Sequence, residues 1–158
     1  MLTTFTAGVL LAALSASAGD QAPAKPEPPA VKLLRVAEGG ALTFEVTNPN
    51  AAPLPYVGYL PESFDGGLKA GTIAPLYKLE LLRDKAWKPH EMGWCGTGRG
   101  PVTLPAKGKV TFEVPPPGGE WEEFRVGLTW FGTAERKDPA VAWSKAVSRK
   151  DATPPKKP

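Results

Sequence analysis

The chain has little of what protein chemistry is usually built from. It holds one cysteine, one histidine and two methionines in 158 residues. A single cysteine excludes a disulfide within the chain. A single histidine excludes a blue-copper centre, which needs two imidazoles beside its thiolate. Proline and glycine, at 19 and 17 residues, interrupt every window between residues 31 and 148 that is long enough for a helix. Charge of one sign is also lacking. Of the net +3, the tail of residues 149–158 carries +3, residues 19–30 carry −1 and the body of residues 31–148 carries only +1. The body therefore lacks the basic footprint of a nucleic-acid binder.

Residues 1–18, MLTTFTAGVLLAALSASA, contain no charged side chain. Threonines and serines dilute the run below what a spanning helix of ~20 apolar residues needs. Ala16-Ser17-Ala18 supplies the small-x-small pattern of a signal-peptidase site, so residues 1–18 read as a signal peptide. The expected location is secreted or periplasmic, with no membrane span after cleavage. Residues 19–30, GDQAPAKPEPPA, read as a proline-rich linker. Residues 31–148 form one domain, and residues 149–158 a disordered basic tail.

The domain shows period-two alternation in short runs. Strands are expected over residues 31–37, 41–48, 54–60, 76–83, 86–88, 102–104, 109–114, 123–131 and 141–148. In residues 123–131, Phe124, Val126, Leu128 and Trp130 share one face, and Arg125, Gly127 and Thr129 the other. Asn48-Pro49-Asn50 breaks one strand, and Asp84-Lys85 makes a tight turn. At least about seven short strands, spaced by ~8–12 residues, fit an all-β, immunoglobulin/fibronectin-like two-sheet sandwich. A small barrel is the alternative. Trp130 and Trp143 are expected in the core.

Residues 87–100, WKPHEMGWCGTGRG, gather the rare side chains: His90, Met92, Cys95, Trp87 and Trp94. Leu76–Leu82, Trp87, Trp94–Gly98, Leu104–Gly108, Phe112–Val114, Arg125–Trp130 and Val141–Ser144 form an order of motifs. That order resembles a group of small, uncharacterised exported bacterial proteins with a Trp-Cys-Gly-Thr-Gly motif. In layout alone the chain is also similar to the intracellular proteinase inhibitor family. The resemblance implies a sandwich fold and export, and brings no activity with it.

Three chemistries compete for the stretch. Imidazole, thioether and thiolate from His90, Met92 and Cys95 suit Cu(I). Cys95 as a nucleophile would use His90 as base, but the residues before it, Gly93-Trp94, do not fit a sandwich-type transpeptidase. The third reading makes Cys95 a small buried hydrophobe. The run Gly96-Thr97-Gly98-Arg99-Gly100 precedes a strand and not a helix, so it is a tight connection and not a phosphate loop. Trp87, Trp94 and Trp121, with Tyr56, Tyr59 and Phe131, are the candidate rings for a glycan or protein ligand. The reading taken is a monomeric, exported, non-enzymatic binding module without a cofactor, whose partner is a protein or a glycan. With Cys95 in the core, a maleimide is expected to label it only after denaturant is added. Fast native labelling that Cu(I) blocks would instead place a metal site at His90, Met92 and Cys95.

Overall fold

The structure, a computed structural model, describes residues 25–60, 75–93, 98–133 and 135–154. The expected signal peptide, Trp94, Cys95, most of the polar 61–75 connection and the end of the tail lie outside the described residues. Among those described there is no helix. Ten strands form instead: β1 (Ala30–Val36), β2 (Leu42–Thr47), β3 (Leu54–Tyr59), β4 (Tyr77–Arg83), β5 (Ala86–His90), β6 (Arg99–Leu104), β7 (Lys109–Val114), β8 (Glu123–Phe131), β9 (Pro139–Trp143) and β10 (Val147–Ser148). They make the expected β-sandwich of two antiparallel sheets. The smaller has the order β1-β2-β7. The larger runs β5-β4-β8-β3-β6, with β9 and β10 also paired to β8.

β8 organises the larger sheet. It is nine residues long, and no neighbour matches its length. On one edge β4 pairs with its first half, and β3 follows at Trp130. On the other edge β10 takes Phe124 and Glu123, and β9 takes residues from Gly127 to Phe131. The alternation read from the sequence holds. Phe124, Val126, Leu128 and Trp130 are all buried in the core. They pack against Leu42, Phe44, Val46, Phe112 and Val114 of the smaller sheet. Phe112 bridges the layers, with its ring 5.9 Å from Phe44 and 5.4 Å from Tyr77. Asp84 and Lys85 make the expected tight turn with φ of 52° and 61°. That is the two-residue geometry that matches strand twist.

One polar residue closes the end of the sandwich. Asn48 is fully buried. Its Nδ2 donates to the carbonyls of Ala52, Leu104 and Pro105 at 2.9, 3.3 and 3.0 Å. Its Oδ1 accepts from Asn50 N at 2.9 Å and Asn50 Nδ2 at 3.0 Å. Asn50 in turn bonds Glu27 in both directions, at 2.9 and 2.8 Å. The Asn-Pro-Asn break is thus a fastener that also pins the last residues of the linker.

Several expectations are corrected. The strand expected over residues 141–148 is two strands, because Ser144 interrupts it. Ser144 Oγ accepts from Val126 N at 3.0 Å and donates to the Lys145 carbonyl at 2.8 Å, where a strand would use its backbone. Trp143 is not in the core beside Trp130. Its cross-strand partner is Gly127, on the outer side of β8, and Ala142 points inward instead. Tyr56 and Tyr59 are not exposed rings; they retain 1% and 7% of their surface. The tail does not leave the domain at Arg149. Arg149 N donates to the Glu122 carbonyl, and Ala152 is buried. The stretch 87–100 is not one loop, since β5 extends through His90 and β6 begins at Arg99.

Burial pushes the phenols of Tyr56 and Tyr77 from 10.0 up to about 12. Ionisation begins in the unfolded chain near pH 10, before the folded chain can follow. Stability from these two groups is therefore intact below pH 10 and is lost between pH 10 and about 12. Phenolate absorbance from Tyr56 and Tyr77 in an alkaline titration is expected to lag and then to rise together with loss of near-UV circular dichroism. Ionisation of Tyr56 and Tyr77 near pH 10 in a protein that keeps its fold would contradict their buried placement.

Candidate functional site

The two outer faces of the sandwich differ. On β2 and β7 of the smaller sheet the outward positions are polar, including Glu45, Thr47, Lys109, Thr111 and Glu113, with one surface ion pair between Lys109 and Glu45 at 3.0 Å, while Leu34 at the bulge of β1 is exposed. On the larger sheet they include Trp87, Pro89, Val57, Val141 and Trp143. An apolar outer face is the feature a solvated sheet lacks.

This face is held by a strap of four side chains from four strands. Arg125 (β8) stands directly opposite Glu80 (β4) in the register. Its Nε and Nη2 donate to Glu80 Oε2 at 2.8 and 2.6 Å. Its guanidinium carbon sits 4.6 Å from the centre of the Trp87 ring (β5) and 4.3 Å from that of Trp143 (β9). The cation is thus stacked between two indoles, with its charge met by a carboxylate. The Arg125 and Glu80 side chains keep only 26% and 18% of their surface. Each cation–π contact contributes ~0.5–2 kcal/mol depending on desolvation. Arginine suits this place because its planar group stacks and donates at once, which an ammonium cannot do.

Gly127 makes room for the strap. A Cβ built there would lie 2.6 Å from ring carbons of Trp143 and 2.7 Å from a methyl of Val141. With no side chain at Gly127, Trp143 lies down over β8.

Beside the strap is a cleft of about 510 Å³. It sits where β3 and β6 abut β4 and β5. Val57, Lys78, Glu80, Pro89, Thr129, Val141 and Trp143 contribute to it from the sheet, and His90, Met92 and Arg99 from the ends of the central stretch. Among the described residues its ionisable lining is Tyr77, Lys78, Glu80, His90 and Arg99, and Glu80 is engaged by Arg125.

The sequence-predicted residues divide accordingly. Trp87 is part of the strap. His90 and Met92 line the same cleft, while Cys95, the third residue of the copper reading, lies outside the described residues, as does Trp94. No three His, Cys, Asp or Glu side chains gather as a metal would need among the described residues. Trp121 belongs elsewhere. Its ring meets Phe124 edge-on at 5.1 Å, its Nε1 donates to the Pro117 carbonyl at 2.9 Å, and Arg149 covers it at 5.0 Å. It seals the core and does not join Trp87. Sequence reasoning missed Glu80, Arg125, Trp143 and Lys78. Arg125 was already placed on the outer face of its strand, and the missing signal was its pairing with Glu80. No family model matches the chain, and no curated protein and no solved structure matches it significantly, so its chemistry is read from the site itself.

Gly127→Ala is expected to lower stability by about 1–3 kcal/mol in urea unfolding, the cost of overpacking. In a Trp143→Ala background the same substitution should cost clearly less, because only the Val141 methyl still stands in the way. Arg125→Lys should lose most of the stacking that Arg125→Met loses. Equal penalties for Gly127→Ala with and without Trp143 would show that the ring does not rest there.

Proposed function

We propose that the protein is an exported, immunoglobulin-like binding module, monomeric and without enzymatic activity. Its ligand site is the cleft on the outer face of the larger sheet. The observation that carries this reading is the Trp87–Arg125–Trp143 stack. It fixes an indole at the wall of the cleft, and a preset aromatic wall is an economical way to recognise a ligand. A binding role is favoured over hydrolysis because the one carboxylate of the lining among the described residues, Glu80, is occupied by Arg125. Paired-acid chemistry needs a second acid across the cleft.

Copper(I) binding by His90, Met92 and Cys95 is the second reading, and it is supported by the shared cleft of His90 and Met92. The two readings separate by nuclear magnetic resonance of the ¹⁵N-labelled protein, screened against mixed soluble oligosaccharides and peptides, and against Cu(I) under reducing conditions. Ligand binding is expected to shift the indole N–H of Trp143 and the amides of Lys78 and Thr129, and Trp143→Ala should remove the response. Shifts confined to His90 and Met92 on adding Cu(I) would favour the metal. Shifts clustered around Trp121 would overturn the placement of the site.

A further inference from the structure

We infer that one end of the sandwich carries a docking groove for an extended proline-rich segment of the pattern Pro-x-x-Pro, and that residues 26–29 of this chain are its resident occupant. Among the described residues the groove shares no lining with the cleft beside the Trp87–Arg125–Trp143 stack. The segment is preset for docking by its sequence. Pro26, Pro28 and Pro29 have φ fixed by their rings, and Lys25, Glu27 and Pro28 each precede a proline, which disfavours helical backbone. Every one of residues 25–29 is thus biased toward the polyproline helix, which repeats about every three residues. Burial follows that repeat. Pro29 is buried and Pro26 half-buried, while Glu27 and Pro28 between them are exposed. A linker that merely connects has no such inward face.

Hydrogen bonding selects the same segment. Among residues 26–29 only Glu27 has a backbone N–H. Asn50 takes it: its Oδ1 accepts from Glu27 N at 2.9 Å, and its Nδ2 donates to the Glu27 carbonyl at 2.8 Å. The orientation of this amide is set by the domain. Asn50 Nδ2 also donates to Asn48 Oδ1 at 3.0 Å, Asn50 N donates to the same oxygen at 2.9 Å, and Lys107 N donates to the Asn50 carbonyl at 3.0 Å. A residue between prolines is therefore read through its backbone, whatever its side chain, by a group already in place. The surroundings leave room. Pro26 stands between two hollows of about 310 and 580 Å³ that both reach Gly132 and Thr133. Pro53, Pro55 and Phe131 line the first, and Trp130 and Ala140 the second. Rings of proline and aromatic residues are the surface on which proline-rich segments dock. Because residues 26–29 are tethered to β1, they compete with any other Pro-x-x-Pro segment that reaches the groove.

The test uses the ¹⁵N-labelled full chain and a synthetic peptide with the sequence of residues 24–30. In the unaltered protein the Lys25 and Glu27 amides are expected to be as ordered on the nanosecond timescale as those of β1. Glu27→Pro keeps the segment extended but removes its donor, so it should shift the Asn50 side-chain amide and leave Lys25 mobile. Glu27→Ala keeps both backbone bonds and should do neither. Glu27 is exposed, so both changes leave the core alone. Peptide added to the Glu27→Pro chain should return the Asn50 amide toward its unaltered position and move the Gly132 amide. The peptide should bind at least about fivefold more weakly to the unaltered chain, whose groove is filled from its tether. A peptide with alanine in place of the first and last proline of Pro-x-x-Pro should lose a similar factor. Mobile Lys25 and Glu27 amides in the unaltered protein would overturn the resident occupant. Equal release by Glu27→Ala and Glu27→Pro would overturn recognition through the backbone. Peptide that leaves Asn50 and Gly132 unmoved in the Glu27→Pro chain, or that shifts another face, would overturn the groove.

Discussion

The outer face of the larger sheet depends on one missing side chain. Gly127 sits in the middle of the longest strand, where glycine is ordinarily a weakness. Its neighbours on both faces explain it. Inward, Val126 and Leu128 carry the core. Outward, a methyl group would collide with Trp143 and Val141. The cost of a flexible residue in β8 is offset by the indole that packs down in its place. Once the indole is down, Arg125 has a surface to stack against, and the strap reaches from β9 across β8 and β4 to β5. Removing any member changes what the others touch, so the four residues act as a unit.

A second unit at another part of the fold works by hydrogen bonds. Asn48 has one amide and one carbonyl oxygen, and it uses both against loops that join different strands. The carbonyls it meets come from the loop before β3, the last residue of β6 and the turn after it. Its oxygen organises Asn50, which holds Glu27. A buried amide is costly when half satisfied. Here no buried side-chain nitrogen or oxygen lacks a partner among the described residues. The strap is a surface device of charge and aromatic area, and the Asn48 node is a dry one of neutral bonds. Between them lies the hydrophobic core, which sets the spacing of the sheets without fixing the loops.

Much of this was legible. Alternation placed nearly every strand, because a half-buried strand writes its two faces into alternate residues. The residues of β7 and β8 match their expected bounds, since both alternate cleanly and end at proline or charge. What failed was pairing. Trp143 looks like core by size, and only the knowledge that it stands opposite Gly127 turns it outward. Ser144 looks like one more strand residue, and only its bonds to Val126 show that it ends β9. The residues of the strap share no sequence neighbourhood, as they are brought together by register. The stretch singled out for its rare residues does border the cleft, through His90, Met92 and Arg99. Its location was visible in composition, while the groups facing it from other strands were not.

The place of the cleft follows from a mismatch of lengths. β8 is longer than any strand beside it, so its edges are each shared by two strands. On one edge β4 and β3 meet end to end, touching where Leu76 N donates to the Val57 carbonyl at 3.1 Å. The strands beyond them, β5 and β6, must then break at the same level. β5 ends there at His90, and β6 begins there at Arg99. A sheet with such a seam has strand ends in its middle, and strand ends bring backbone turns, prolines and charged residues onto what would be a uniform surface. Lys78, Pro89, His90 and Arg99 all stand near strand ends at the seam. The rest of the face is rigid, because β8 runs beneath it unbroken and the strap ties its neighbours together. A concavity with varied chemistry on a rigid floor is what a binding site requires, and in this fold both come from the length of a single strand.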